Sequence, residues 1–139
     1  MLLLYSNTPK IIFFDFYSSR NDLYVNIMHG EFSKLEKLQD RNIEMIMEVC
    51  DEEGRVIPNS LAAGVGSEPK SQYTSLVYYH KSNPKWGEIV KVILPVDLFE
   101  KSHLRFTFAH RPRRAEKGKV WAFSYMKLGM ISHKILKIK

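Results

Sequence analysis

Residues 72–111 carry three apolar runs dense in β-branched and aromatic residues, and two polar breaks separate them. The first break is Lys81-Ser82-Asn83-Pro84-Lys85 and the second covers residues 97–102. Short runs of this kind, punctuated this way, describe consecutive strands of a small antiparallel β-fold. This pattern excludes an all-helical chain and sets the frame for the rest of the sequence.

The flanking segments repeat it. Residues 22–28 alternate Leu23, Val25 and Ile27 with polar neighbours, which is the signature of a half-buried strand. Residues 41–50 have the clearest period of two, with Ile43, Met45, Met47 and Val49 on one face and Glu44 and Glu48 on the other. Asp51-Glu52-Glu53-Gly54 follows as a turn, and residues 55–57 read as the start of a return strand. Residues 58–69, rich in Asn, Gly, Ser and Pro, read as a loop. Further strands are expected over residues 73–80, 86–94, 103–110 and 120–128, and a last short one over 133–138. Residues 10–16 fit a strand or a displaced extension. Residues 96–101, after Pro95, fit a helical turn, and Leu35 and Leu38 fit a turn of their own. The expected architecture is all-β: an antiparallel β-sandwich of seven or eight strands.

A chain of 139 residues is one domain in size, and 45% hydrophobic with 26% charged is enough to build a core. The single cysteine, Cys50, excludes an intramolecular disulfide. No apolar stretch approaches the ~18 residues of a membrane-spanning helix. The apolar N-terminus lacks a basic leader region and is interrupted by Asn7, Pro9 and Lys10, so a secretory signal is not expected and a cytoplasmic location is. The five histidines show no metal-ligand spacing, Cys50 has no partner, and there is no P-loop, GxGxxG or GxSxG motif, so neither a metal nor a cofactor is expected. The five aspartates, Asp15, Asp22, Asp40, Asp51 and Asp97, form no Asp-x-Asp pair. Calcium needs six to eight converging oxygens, so a calcium site is disfavoured.

The net charge of +6 is concentrated. Residues 33–41 set Lys34, Lys37 and Arg41 against Glu36 and Asp40, for a net +1. Residues 109–119 set Arg111, Arg113, Arg114, Lys117 and Lys119 against Glu116, for a net +4. A positive field gathered into two short segments points to an anionic partner, phosphate on a membrane or on nucleic acid. Nucleic acid is the weaker reading, because the chain has neither the aromatic-glycine RNA motif nor a recognition helix.

Several fixed points, in order, resemble one family. They are Arg20-Asn21-Asp22-Leu23-Tyr24, Gly30-Glu31-Phe32, Arg41-Asn42-Ile43-Glu44, Gly64-Val65-Gly66, Tyr78-Tyr79-His80, Pro84-Lys85-Trp86, Ser102-His103-Leu104-Arg105-Phe106, Lys117-Gly118-Lys119 and Met126-Lys127-Leu128. The run resembles the C2-type domain of the DOCK (dedicator of cytokinesis) exchange factors, also called the first DOCK homology region. The resemblance covers residues 20–128. It leaves residues 1–19 as an extension or displaced strand and 129–139 as a short divergent segment. It implies a C2-like β-sandwich that binds phosphatidylinositol 3,4,5-trisphosphate without calcium, at a basic pocket drawn from two loops. The matching cations are Lys34, Lys37 and Arg41 in the first loop and Arg111, Arg113 and Arg114 in the later one. Ala109 stands where the family usually carries another arginine. The implied partners are anionic membrane phosphoinositides at the inner face of the plasma membrane. In the family context they include Rac/Rho-type GTPases, reached through an exchange region that these residues lack, so the chain itself is expected to be a targeting module and not an enzyme. The alternatives are a protein-interaction sandwich, signalled by exposed Tyr78, Tyr79 or Trp86, and a nonspecific polyanion binder.

Overall fold

The computed structural model describes residues 14–17, 23–32, 41–64, 66–112 and 118–130. Among them are eight strands: β1 (Phe14–Tyr17), β2 (Leu23–His29), β3 (Ile43–Cys50), β4 (Leu61–Ala62), β5 (Gln72–Thr74), β6 (Lys85–Val92), β7 (His103–His110) and β8 (Lys119–Lys127). One helical turn, α1 (Val96–Phe99), joins β6 to β7. The strands make two four-stranded sheets, ordered β1-β2-β6-β4 and β5-β3-β7-β8, with every pairing antiparallel. This is the β-sandwich that the alternating sequence pattern requires.

Period two decides which side chains meet between the sheets. Leu23, Val25 and Ile27 of β2 and Trp86, Val90 and Val92 of β6 face Ile43, Met45, Met47 and Val49 of β3 and Leu104, Phe106 and Phe108 of β7. All are buried, and removing any large one would cost about 2–5 kcal/mol. Phe32, just past β2, closes one end of this core, with its ring centroid 5.3 Å from that of Phe108 and 6.4 Å from that of Trp86. Gly30 is forced by that packing: a Cβ there would lie 2.5 Å from the Phe32 ring and 3.1 Å from Trp86. On β6 an extra residue bulges between the Ile27–Glu88 and His29–Lys85 pairs, where Gly87 takes φ 64°.

The structure corrects three sequence expectations. Residues 58–69 are not all loop, since Leu61 and Ala62 form β4 against Val92 and Lys91 of β6. Two residues are too few to show alternation, although Leu61 is buried. The strand expected over residues 73–80 pairs only as far as Thr74. Its ladder ends because the Ser75 hydroxyl accepts the Met45 amide (3.0 Å), after which side chains take over the Leu76 backbone groups. The return strand after the Gly54 turn shrinks to a single bridge, Cys50–Val56. Of residues 10–16, the described ones, Phe14 to Phe16, lie in a strand, β1, which runs on to Tyr17 at the edge of its sheet. The turn expected around Leu35 and Leu38 and the strand over 133–138 lie outside the described residues.

Candidate functional site

Strand direction brings three connections to one end of the sandwich. β2 ends there at His29, opposite the first residue of β6, Lys85. β3 begins there at Ile43, opposite the last residue of β7, His110, and His110 in turn faces the first residue of β8, Lys119. The β2–β3, β5–β6 and β7–β8 connections therefore share a rim. Turn Asp51–Gly54 and α1 lie at the opposite pole.

Asn42 ties the rim together. Its carbonyl accepts the Arg111 amide (2.8 Å), and its Nδ2 donates to the Arg111 carbonyl (3.1 Å). Its Oδ1 accepts the His80 amide (3.0 Å), and its own amide donates to His110 Nδ1 (3.3 Å). One asparagine thus joins the entry to β3, the exit from β7 and the tip of the β5–β6 connection. Held by that bond, His80 adopts φ 49°, a conformation rarely taken by a residue with a side chain. A second set of bonds fixes the other flank: Gly30 N–H to Pro84 O, Phe32 N–H to Ser82 O, and Phe32 N–H to Asn83 Oδ1.

Charge at this rim is mostly positive. Arg111 is exposed, and its Nη1 lies 3.1 Å from Oε1 and 3.4 Å from Oε2 of Glu44, a carboxylate that is 7% exposed. One guanidinium nitrogen is thereby anchored. The fork orients Arg111 along the rim, and a guanidinium so held presents a planar donor edge suited to phosphate oxygens. Arg41 is half-buried next to Asn42, while Lys81, Lys85 and Lys119 are exposed. A hollow of about 700 Å³ beside β2 and β6 is lined by His29, Glu31, Asn83 and Lys85, among others. Neither Arg41 nor Arg111 lines it, so the cations around Asn42 and this hollow are separate features.

Of the site residues expected from sequence, Arg41 and Arg111 are brought to the same rim through Asn42. Lys34, Lys37, Arg113 and Arg114 lie outside the described residues, on segments whose described flanks, Phe32 and Arg41 or Pro112 and Gly118, belong to this end. Ala109 is buried, and a Cβ on Gly118 would meet both the Ala109 methyl and the His110 carbonyl oxygen. Sequence reading missed Lys81 and Lys85 as rim cations. They were visible as polar punctuation, and only the fold reveals that it lies at the same rim, Lys81 following the His80 that Asn42 holds and Lys85 opposite His29. It also missed Asn42, whose role depends entirely on partners 38 to 69 positions away.

The aromatic surface considered for protein contact is mostly buried. Trp86 is in the core and donates from Nε1 to the Leu76 carbonyl (3.0 Å), and Tyr78 packs against the core. Only Tyr79 of the three is exposed. Nearby, Tyr73 donates its hydroxyl to Glu88 (2.7 Å). Burial, reinforced by this bond and by the Glu88 charge, pushes the Tyr73 pKa up, so the phenol stays a donor. Among the described residues no group of three or more His, Cys, Asp and Glu side chains could hold a metal ion, and no helix is long and apolar enough to cross a membrane.

The fold defines the class. A solved C2 domain of RIM from Drosophila superposes with a TM-score of 0.57 over 83% of this chain and 82% of that one, at 13% identity, so the likeness shows a shared C2 fold. The chain belongs to the C2 domain family of the Dock180 and Zizimin proteins, whose family model matches residues 16–138. That span starts before Arg20 and runs past Leu128. Human dedicator of cytokinesis protein 4 is 41% identical over 111 residues, and human dedicator of cytokinesis protein 3 is 39% identical over 111 residues. Each match covers 78% of this chain, but only 6% and 5% of those relatives respectively.

Proposed function

We propose that this C2 domain recruits its parent protein to the inner face of the plasma membrane. It does so by binding phosphatidylinositol 3,4,5-trisphosphate at the loop rim, without calcium. Lys34, Lys37 and Arg41 supply cations from the β2–β3 connection, and Arg111, Arg113 and Arg114 supply them from the β7–β8 connection. The observation that carries this reading is the 2.8 Å bond from the Arg111 amide to the Asn42 carbonyl, which joins the two cationic segments at the residue after Arg41. A polybasic surface alone contributes about 1 kcal/mol per cation near an anionic leaflet. The two segments carry net charges of +1 and +4, and a net +5 gives roughly 5 kcal/mol, a submillimolar grip. Selective recruitment therefore needs geometry as well, and the Glu44-anchored guanidinium of Arg111 supports a fixed phosphate contact. Calcium independence is supported by the described aspartates, none of which lies at the rim: Asp15 is in β1, and Asp51 and Asp97 lie in the turn and helix of the opposite pole. In the parent protein the module would deliver an exchange region to Rac/Rho-type GTPases.

The test is co-sedimentation with vesicles across the phosphoinositides in the presence of a calcium chelator. The expected result is preference for the trisphosphate over phosphatidylserine and the monophosphates, lost on Lys34→Glu/Lys37→Glu. Equal binding to every anionic vesicle, falling steeply with salt, would identify a nonspecific polyanion binder and overturn the specific reading.

A further inference from the structure

We propose that the β5–β6 connection is a membrane-inserting element, in which Leu76, Val77 and Tyr79 enter the acyl border of an anionic bilayer beside the cationic rim. This rests on the lipid-binding reading above and extends it from headgroup to hydrocarbon. Leu76 is 62% exposed, Tyr79 56% and Val77 37%, three large apolar side chains within four positions. Single exposed apolar residues are ordinary, but three along one short connection, with Tyr78 among them packed against the core, form an apolar ridge of the kind that marks an interaction surface. Lys81 in the same connection and Lys85 at the start of β6, with Arg41 and Arg111 across Asn42, supply charge complementary to anionic lipid. Apolar tips flanked by cations, with a tyrosine at the border, match the layered chemistry of a bilayer surface.

Backbone groups at both ends of the ridge are already hydrogen-bonded. An unpaired amide or carbonyl is costly in hydrocarbon. Both Leu76 backbone groups are already taken by side chains: its amide donates to Glu88 Oε1 (3.0 Å), and its carbonyl accepts from Trp86 Nε1 (3.0 Å). The His80 amide at the other end is held by Asn42, and the Tyr79 ring stacks on the His80 ring at 3.8 Å. The connection climbs from the level of Met45, where Ser75 is bonded, to the rim at Asn42. The ridge therefore runs down one flank, and the docked domain tilts toward it.

The experiment labels Leu76→Cys with an environment-sensitive fluorophore. The natural Cys50 is buried, so the label is selective. Vesicles of phosphatidylcholine and phosphatidylserine, with and without the trisphosphate, carry shallow spin-labelled lipid as quencher. The expected result is a blue shift and quenching on vesicle binding. Leu76→Asn in turn lowers vesicle affinity roughly tenfold, leaves the affinity for soluble inositol tetrakisphosphate unchanged, and does not move the unfolding midpoint. A probe that stays in water on sedimented protein overturns the insertion while leaving headgroup binding intact. Equal loss of the soluble headgroup in Leu76→Asn overturns it too, because Leu76 would then shape the headgroup site. A blue shift that needs only high protein concentration and no lipid marks a protein contact and overturns it. Failure to sediment with any anionic vesicle removes both this inference and the reading beneath it.

Discussion

Replacing Asn42 with alanine tests whether one side chain holds the rim together. The substitution deletes two bonds, His80 N–H to Oδ1 (3.0 Å) and Nδ2 to the Arg111 carbonyl (3.1 Å). It keeps the backbone bonds to Arg111 and His110 Nδ1. Both lost bonds are exposed, so each contributes near the lower half of the usual range of about 0.5–1.5 kcal/mol. His80, in its left-handed conformation, loses the contact that fixes it, and release of that residue recovers part of its ~1–3 kcal/mol of strain. The net expectation is a loss of about 0.5–1 kcal/mol in urea unfolding, or a fall of about 2–4 °C in melting temperature. Vesicle affinity should fall further than stability alone explains, because the cationic segments lose their shared anchor. Asn42→Asp separates the two bonds: it keeps an acceptor for His80 but sets a carboxylate against the Arg111 carbonyl. A double-mutant cycle of Asn42→Ala with Arg111→Ala should give a coupling energy in trisphosphate binding above about 0.5 kcal/mol. Strict additivity, with both variants weakening binding independently, would refute the claim that Asn42 acts through Arg111.

Packing and charge give two further outcomes. Gly30→Ala and Gly118→Ala should each destabilise by about 1–3 kcal/mol in chemical unfolding, since the new methyl meets the Phe32 ring in one case and the His110 carbonyl in the other; wild-type midpoints would mean that these contacts yield freely. The Asp51 carboxyl is held below its ordinary value, chiefly by the Arg55 amide and then by the Arg55 guanidinium at 2.8 Å. A depressed carboxylate contributes stability that is present above its unfolded-state pKa and is lost as pH falls through the folded one. Wild type and Asp51→Asn should therefore differ near neutral pH and converge in acid; a gap that persists in acid would mean that charge is not the cause.

The strands with clear alternation were readable from residue type alone. Ile43, Met45, Met47 and Val49 against Glu44 and Glu48, and Leu104, Phe106 and Phe108 against Arg105 and Thr107, state their buried faces outright. Elements fixed by a single side chain were not readable. Ser75 ends β5 with one hydroxyl, and the two residues of β4 owe their pairing to β6, far along the chain. The cations were legible as two clusters, but nothing in their own spacing says that they meet. What joins them is the register of β3 with β7, in which Ile43 faces His110, so that Asn42 lies beside Arg111. A slip of one residue would turn Met45, Met47 and Val49 outward and Glu44 and Glu48 into the core. The apolar pattern therefore forbids the slip, and in doing so it sets Arg41 and Arg111 at a common rim. The geometry of the cationic rim is a consequence of hydrophobic burial along the same strands, which is why substitutions in the core between β3 and β7 should weaken the proposed trisphosphate binding without touching a charge.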